Sequence, residues 1–150
     1  MPETHEPSPE LIRLVRSALT HLYDYAYLQN HPLARLVDAQ GSLDRVTRAQ
    51  SLRRLLLDCI EETRPERASD AEADRVYAIL TYRYIDGLAM DKVAEKRGLG
   101  ERQAYRALEQ GVGAIAGLLR DRYGEPGQDL GPAEAPDPIQ VEVARLRQGG

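Results

Sequence analysis

The segment from Asp74 to Asp121 constrains the fold most, because its apolar residues recur at helical spacing and glycines interrupt them. The first helix is predicted from one stripe: Val76, Tyr77, Ile79, Leu80 and Tyr84. Gly87 suits the left-handed position that follows a helix. A short second helix turns Met90, Val93 and Ala94 inward. The third helix begins after Gly100, and its buried stripe is Ala104, Leu108, Val112, Ile115 and Leu119.

The turn between the second and third helices has the residues that a close helix pair requires. A helix enters the major groove of duplex DNA when a partner helix braces it from behind. Ala94 is small enough for a close approach, and Gly98 can take the unusual backbone angle of a short turn. Leu99 can seal the corner from water. These positions are the ones that a helix-turn-helix needs.

Three stretches within this segment resemble the fourth conserved region of sigma factors and related bacterial regulators. They are Arg83-Tyr84-Ile85-Asp86-Gly87-Leu88, Val93-Ala94-Glu95-Lys96-Arg97-Gly98-Leu99 and Gln103-Ala104-Tyr105-Arg106-Ala107-Leu108. The resemblance implies a helix-turn-helix that binds promoter DNA. The chain departs from the family at Ala89 and Gly100, where Ser or Thr caps are common, and at Arg97, which replaces a leucine. Gly111 and Gly113 also weaken the third helix. The other sigma-factor regions have no equivalent that we recognise, so a complete sigma factor is not predicted.

Six residues are the candidate DNA-binding set. On the third helix they are Arg102, Gln103, Tyr105 and Arg106; on the second they are Lys92 and Lys96. Arg can pair with guanine through two hydrogen bonds, Gln can pair with adenine, and Tyr can reach a phosphate or a thymine methyl group. The lysines are candidates for phosphate contacts. An ordinary solvated helix face is the alternative.

The rest of the chain also has helical signals. Ser8-Pro9-Glu10 starts a helix predicted to run to about Gln29, with an inward face of Leu11, Val15, Ala18, Leu19, Leu22 and Ala26. A short helix is predicted over 33–37. A longer one follows from Leu43 after a Ser42 cap, with Val46, Ala49, Leu52, Leu56, Cys59 and Ile60 inward. Ser69 and Glu72 form a predicted capping box. No segment has the alternation of a strand.

We therefore predict an all-α helical bundle with a C-terminal helix-turn-helix and a flexible C-terminal tail. Residues 8–67 are predicted as a helical support and dimerisation layer, and residues 69–123 as the DNA-binding domain. The composition changes to Gly and Pro in residues 124–150. Within this tail, Ile139, Val143 and Leu146 allow one short amphipathic helix, and disorder is the favoured alternative.

Composition narrows the function classes. The net charge of −4 argues against nonspecific nucleic-acid binding by the whole surface, but not against a local basic face. The single Cys59 excludes an internal disulfide and a cysteine-rich zinc site, and a buried thiol is expected. The sequence has no signal peptide or membrane-spanning run, so we expect a cytoplasmic, nucleoid-associated protein. It also lacks a phosphate loop, a nucleophile elbow and metal-ligand spacing, so neither catalysis nor a cofactor or metal is predicted.

Two unusual clusters leave alternatives open. Tyr23, Tyr25 and Tyr27 occur with His21 and His31, which is typical of a ligand pocket, a dimer surface or, in the favoured interpretation, internal packing. A small-residue patch on the third helix consists of Gly113, Ala114, Ala116 and Gly117. It could contact the helix of residues 43–62 or a second subunit.

These features together predict a sequence-specific DNA-binding transcription regulator that acts as a homodimer. Its third helix would enter the major groove, and paired half-sites would lie about 34 Å apart or a multiple of this. The alternative is a protein-interaction module that does not bind DNA and engages a sigma factor, an RNA polymerase subunit or another regulator. A weaker third hypothesis is a small-molecule sensor that uses the Tyr cluster.

Overall fold

A computed structural model describes residues 7–67 and 69–124 of the chain. Within these ranges the protein is all-α and contains no strand, as predicted. The helices are α1 (Pro9–Thr20), α2 (Tyr25–Leu28), α3 (Arg45–Glu62), α4 (Ala71–Leu80), α5 (Met90–Arg97) and α6 (Glu101–Tyr123). A 3-10 turn covers Pro32–Leu36, and a π turn, Thr81–Ile85, continues α4. The predicted short helix of the tail lies outside the described residues.

Helix α6 is the centre of the fold and contacts α1, α3, α4 and α5. Its predicted inward stripe is confirmed: Ala104, Leu108, Val112, Ile115 and Leu119 are all buried. The buried residues of α1, α3, α4 and α5 belong to the same hydrophobic core. None of the helices in the described ranges combines the length and apolar character needed to cross a membrane.

The prediction of one helix from Ser8 to Gln29 is wrong. Its start is correct, because the Ser8 side chain accepts a hydrogen bond from Leu11 N–H at 3.1 Å. The helix ends at Thr20, however, and Asp24 caps the separate helix α2 by accepting a hydrogen bond from Tyr27 N–H. An Asp side chain competes for backbone donors inside a helix and favours a new helix start instead. Ala26 is consequently exposed.

Two predicted helix caps are displaced to a nearby aspartate. Asp44 caps α3 through Thr47 N–H at 2.7 Å, so Ser42 is not the cap. Asp70 caps α4 through Ala73 N–H at 3.1 Å, so the box on Ser69 is also wrong. Val46 lies in the first turn of α3 and is 56% exposed rather than inward. The remaining inward residues of this helix are confirmed: Ala49, Leu52, Leu56, Cys59 and Ile60.

The close approach of α4 to α6 occurs at Gly111. An ideal Cβ built on Gly111 would lie 2.7 Å from Leu80 Cγ, and the Leu80 side chain is fully buried. Gly113 and Gly117 have nothing within 4 Å of such a Cβ, so of the two alternatives for the small-residue patch, the internal contact with α3 has no support at these two positions. Ala116 of that patch is buried in the core.

We expect Gly111→Ala to lower the free energy of unfolding by about 1–3 kcal/mol, because the new methyl group would overlap the fully buried Leu80 side chain. Gly113→Ala is the matched control, since it adds the same group where space is open. Better helix propensity should make the control more stable by up to about 1 kcal/mol. Urea unfolding measures both changes, and equal stabilisation of the two variants would contradict the close contact.

Candidate functional site

The connection between α5 and α6 is a compact turn of three residues. Gly98 takes a left-handed conformation with φ 65° and ψ 35°, as its predicted role requires. Leu99 N–H donates to Ala94 O at 2.9 Å, and Gly98 N–H donates to Glu95 O. These two bonds form the usual glycine-terminated helix end. Because Ala94 is also buried, the turn holds α5 at a defined angle to α6.

Helices α5 and α6 both begin without a capping side chain, at Ala89 and Gly100 respectively. Gly100 N–H donates to Gln103 Oε1 at 3.2 Å, so Gln103 supplies one half of a capping box. Gln103 is exposed, but its carbonyl oxygen already has this backbone partner. Base pairing by Gln103 would therefore require its side chain to leave the cap.

The other candidates on α6 point outward from its first two turns. Arg102 and Arg106 are exposed, and Tyr105 is 50% exposed. Arg102 and Arg106 are four residues apart and so lie on the same side of the helix. Within residues 7–67 and 69–124, none of these three side chains has an ion-pair or hydrogen-bond partner. They are free to meet a ligand without first breaking a contact in this part of the chain.

The two candidate lysines of α5 are exposed but have neighbours. Lys92 Nζ lies 3.7 Å from Glu95 Oε1, in an exposed pair that holds the side chain only weakly. Lys96 Nζ lies 5.6 Å from the centroid of the Tyr82 ring, within cation–π range. The structure therefore brings Tyr82, an aromatic residue of the π turn, to the last turn of α5. Tyr82 was not among the residues predicted from the sequence.

Arg97 has a structural role that was not predicted from the sequence. Its guanidinium lies 3.2 Å from Asp74 Oδ2, which ties the end of α5 to the first turn of α4. Arg97 is only partly exposed, so its aliphatic stem contributes packing in addition to the ion pair. On α6, Glu109 is paired with Arg16 of α1 at 3.3 Å. Two ion pairs, one made by Arg97 and the other by Glu109, thus lie at the edges of the helix contacts.

The π turn after α4 was also missed, although Gly87 has the predicted positive φ, 74°. Asp86 N–H donates to Thr81 O at 2.9 Å across the wide turn, and Arg83 donates to Leu88 O at 2.9 Å. Tyr84 is buried, and burial raises the pKa of its hydroxyl. Turns of this kind often occur at functional sites. Here the turn fixes the loop that leads into α5.

The Tyr cluster is distributed over internal contacts rather than around one cavity. His21 stacks on Tyr27 with ring centroids 3.7 Å apart. The Arg53 guanidinium lies 4.8 Å from the Tyr25 ring centroid and 5.4 Å from that of Tyr23. These contacts favour the packing interpretation. In the described part of the chain, no group of His, Cys, Asp and Glu side chains is arranged to hold a metal ion.

His31 is the most strongly perturbed group of this region. Its Nδ1 accepts a hydrogen bond from Leu33 N–H at 3.0 Å, so the other ring nitrogen bears the proton. That nitrogen donates to Ser17 Oγ at 2.8 Å, and Ser17 Oγ in turn donates to Leu14 O. Burial, with a smaller contribution from the charge of His21, lowers the pKa of His31 to about 4. Its neutral form joins α1 to the 3-10 turn.

The lone Cys59 is buried, as predicted. Desolvation raises the pKa of its thiol to about 11. A thiol that remains protonated is a poor nucleophile, so we expect Cys59 to react slowly at neutral pH.

We expect the protein to lose about 2 kcal/mol of stability between pH 7 and pH 5 through His31, because the unfolded chain takes up a proton near pH 6.5 and the folded chain only near pH 4. The free energy of unfolding should therefore fall as the pH falls. Urea titrations at the two pH values measure this difference. His31→Gln should flatten the pH dependence, and an unchanged slope in that variant would assign the effect to other groups.

Comparisons with protein-family models, with curated proteins and with solved structures give no match for this chain.

Proposed function

We propose that this protein is a sequence-specific DNA-binding transcription regulator in which α5 and α6 act as a helix-turn-helix. The observation that carries the proposal is the outward face at the start of α6. There Arg102, Tyr105 and Arg106 are exposed and have no partner within the described ranges. The opposite face of the same turns, at Ala104, Ala107 and Leu108, is packed in the core. A recognition helix needs one face that packs against the protein and an opposite face that is exposed to the DNA.

The chemistry of the outward face suits base contacts. A major groove about 12 Å wide admits one helix, and Arg102 and Arg106 each carry the donor pair that matches the acceptors of guanine. Tyr105 could contact a phosphate or a thymine methyl group. Lys92 and Lys96, on the bracing helix, would neutralise phosphates on either side of the groove. Set against the exposed Asp91, Glu95 and Glu101, these four cationic residues make the surface mildly basic on a chain with a net charge of −4.

A homodimer belongs to the proposal, because one recognition helix makes few base contacts. Two such helices about 34 Å apart, or a multiple of this, would read paired half-sites in successive turns of the duplex. The helices of residues 8–67 would provide the support and the subunit contact.

The test uses a duplex selected from a random library by the parent chain. We expect Arg102→Ala combined with Arg106→Ala to weaken binding by at least about tenfold, since each lost arginine–guanine pair costs about 1–3 kcal/mol. The dependence of affinity on salt should also become shallower. Fluorescence anisotropy over a salt series measures both quantities.

The matched control for that test is Arg13→Ala combined with Arg54→Ala, which removes the same charge from exposed positions on α1 and α3. Because α1 and α3 belong to the proposed subunit layer, analytical ultracentrifugation first verifies that the control forms the same oligomer as the parent. The control should then bind nearly as the parent does. Equal losses of affinity in the two double variants would show that net charge alone causes the effect. Unchanged affinity and salt slope in the α6 variant would remove Arg102 and Arg106 from the interface.

A second candidate is a protein-interaction module that engages a sigma factor, an RNA polymerase subunit or another regulator. The acidic isoelectric point, about 5.4, and the uncapped starts of α5 and α6 favour it. Retention on a duplex-DNA resin at moderate salt separates the two candidates. A parent chain that passes through the resin and selects no sequence from the library would support this second function.

A further inference from the structure

A groove of about 350 Å³ lies where the end of α3, the start of α4 and the middle of α6 meet. Its apolar lining comes from Ala73 and Val76 of α4 and from Ala114 and Leu118 of α6. Glu62 and Gln110 form polar parts of the rim. The groove is separate from the outward residues at the start of α6.

The surface beside the groove is open, and the polar side chains at the rim of the groove already have hydrogen-bond partners. Gly113 and Gly117 are adjacent in sequence to Ala114 and Leu118, and a Cβ on either glycine would meet nothing within 4 Å. Gln110 donates to Glu72 at 3.1 Å, and Glu62 accepts from Arg122. The unpartnered part of the groove is therefore its apolar carbon surface, and an apolar occupant would not displace these polar contacts.

We propose that residues 139–147 of the same chain dock in this groove as a short amphipathic helix. Ile139, Val143 and Leu146 fall at i, i+4 and i+7 and so share one helical face. A helix of this length is not stable alone in water, so its formation depends on a surface that buries that face. The groove offers such a surface, and a helix of these residues would be about 13 Å long.

The point where the chain leaves α6 places the segment within reach. Helix α6 ends at Tyr123, and Leu118 lies only about 9 Å back along its axis from Gly124. Residues 125–138 can span roughly 45 Å when extended, which is more than enough to return residue 139 to the groove. Because both partners belong to one chain, their effective concentration is on the order of millimolar. A weak intrinsic contact is then sufficient for docking.

Charge favours this segment over an acidic apolar peptide. It carries Arg145 and Arg147 against a single acid, Glu142. Glu62 at the rim is already paired with Arg122, but Glu72 accepts only from the neutral amide of Gln110 and has no cationic partner in the described ranges. An exposed pair with Glu72 would add little affinity, but it would disfavour the reversed orientation. A cationic segment therefore suits this rim, and the sequence of residues 139–147 has the required charge and periodicity.

Thiol labelling in the full chain tests the proposal. Ala114→Cys places a reactive thiol in the groove, while Cys59 reacts slowly because it is buried and its thiol pKa is raised to about 11. A dissociation constant of about 0.1 mM at an effective concentration of about 1 mM would leave about one molecule in ten undocked. Maleimide labelling of Cys introduced at position 114 should then accelerate about tenfold when Val143→Asp and Leu146→Asp disrupt the docking face.

The matched control is Val141→Asp with Ala144→Asp, which adds the same charge to the opposite face of the same helix. Labelling in this control should stay as slow as in the parent. Equal rates in all three chains, or equal acceleration by both tail variants, would overturn the proposal. Protection that disappears on dilution would assign the groove to a second copy of the chain instead. If Ala114→Cys does not fold, Gln110→Cys at the same groove provides the same readout.

Discussion

The contact between Leu80 and Gly111 is the constraint on which the arrangement of the C-terminal helices depends. The Leu80 side chain occupies the space where any residue other than glycine at position 111 would place its Cβ, so α4 approaches α6 unusually closely. The π turn that continues α4 then sets the path of the loop into α5. The ion pair of Arg97 with Asp74 returns the end of α5 to α4. Helix α5 is therefore held in position at both of its ends, and the Gly98 turn fixes its angle to α6.

Burying one face of α6 decides what its other face can do. The core takes the stripe from Ala104 to Leu119, and the residues at its edges are used for packing, as the pair of Glu109 with Arg16 illustrates. Arg102, Tyr105 and Arg106 lie beyond those edges, in turns where no described helix covers them. The free basic surface is thus a consequence of how the helix packs. The proposed DNA contact and the proposed docking of the tail use different parts of this exposed side, because the groove begins farther along α6, at Gln110.

In the N-terminal half, polar and aromatic contacts add to the aliphatic core, in a chain that has no Phe and no Trp. Arg53 lies over two tyrosine rings, and His31 connects Ser17 to the turn at Leu33. Asp38 is 7% exposed and accepts hydrogen bonds from Arg48 and from Ser42 N–H, which together lower its pKa against the opposing effect of burial. Buried polar groups need such partners, and the partners fix the helix positions. The Tyr and His residues thus make packing contacts, which was the favoured interpretation of this cluster, rather than lining one ligand pocket.

The sequence by itself determined the helical class, the inward stripe of α6 and the left-handed conformations of Gly87 and Gly98, because these depend on neighbours within about one helical turn. It also predicted which residues at the start of α6 face outward, since residues that are not on the buried stripe of a helix must lie on its exposed face. The helix break before Asp24 also depends on a local bond, the cap to Tyr27 N–H, which hydrophobic periodicity alone does not register. Only the tertiary structure decided that Gly111 rather than Gly113 or Gly117 receives a neighbouring helix, and that Arg97 pairs with Asp74. Both depend on a side chain distant in sequence, and periodicity contains no information about which distant residue comes into contact.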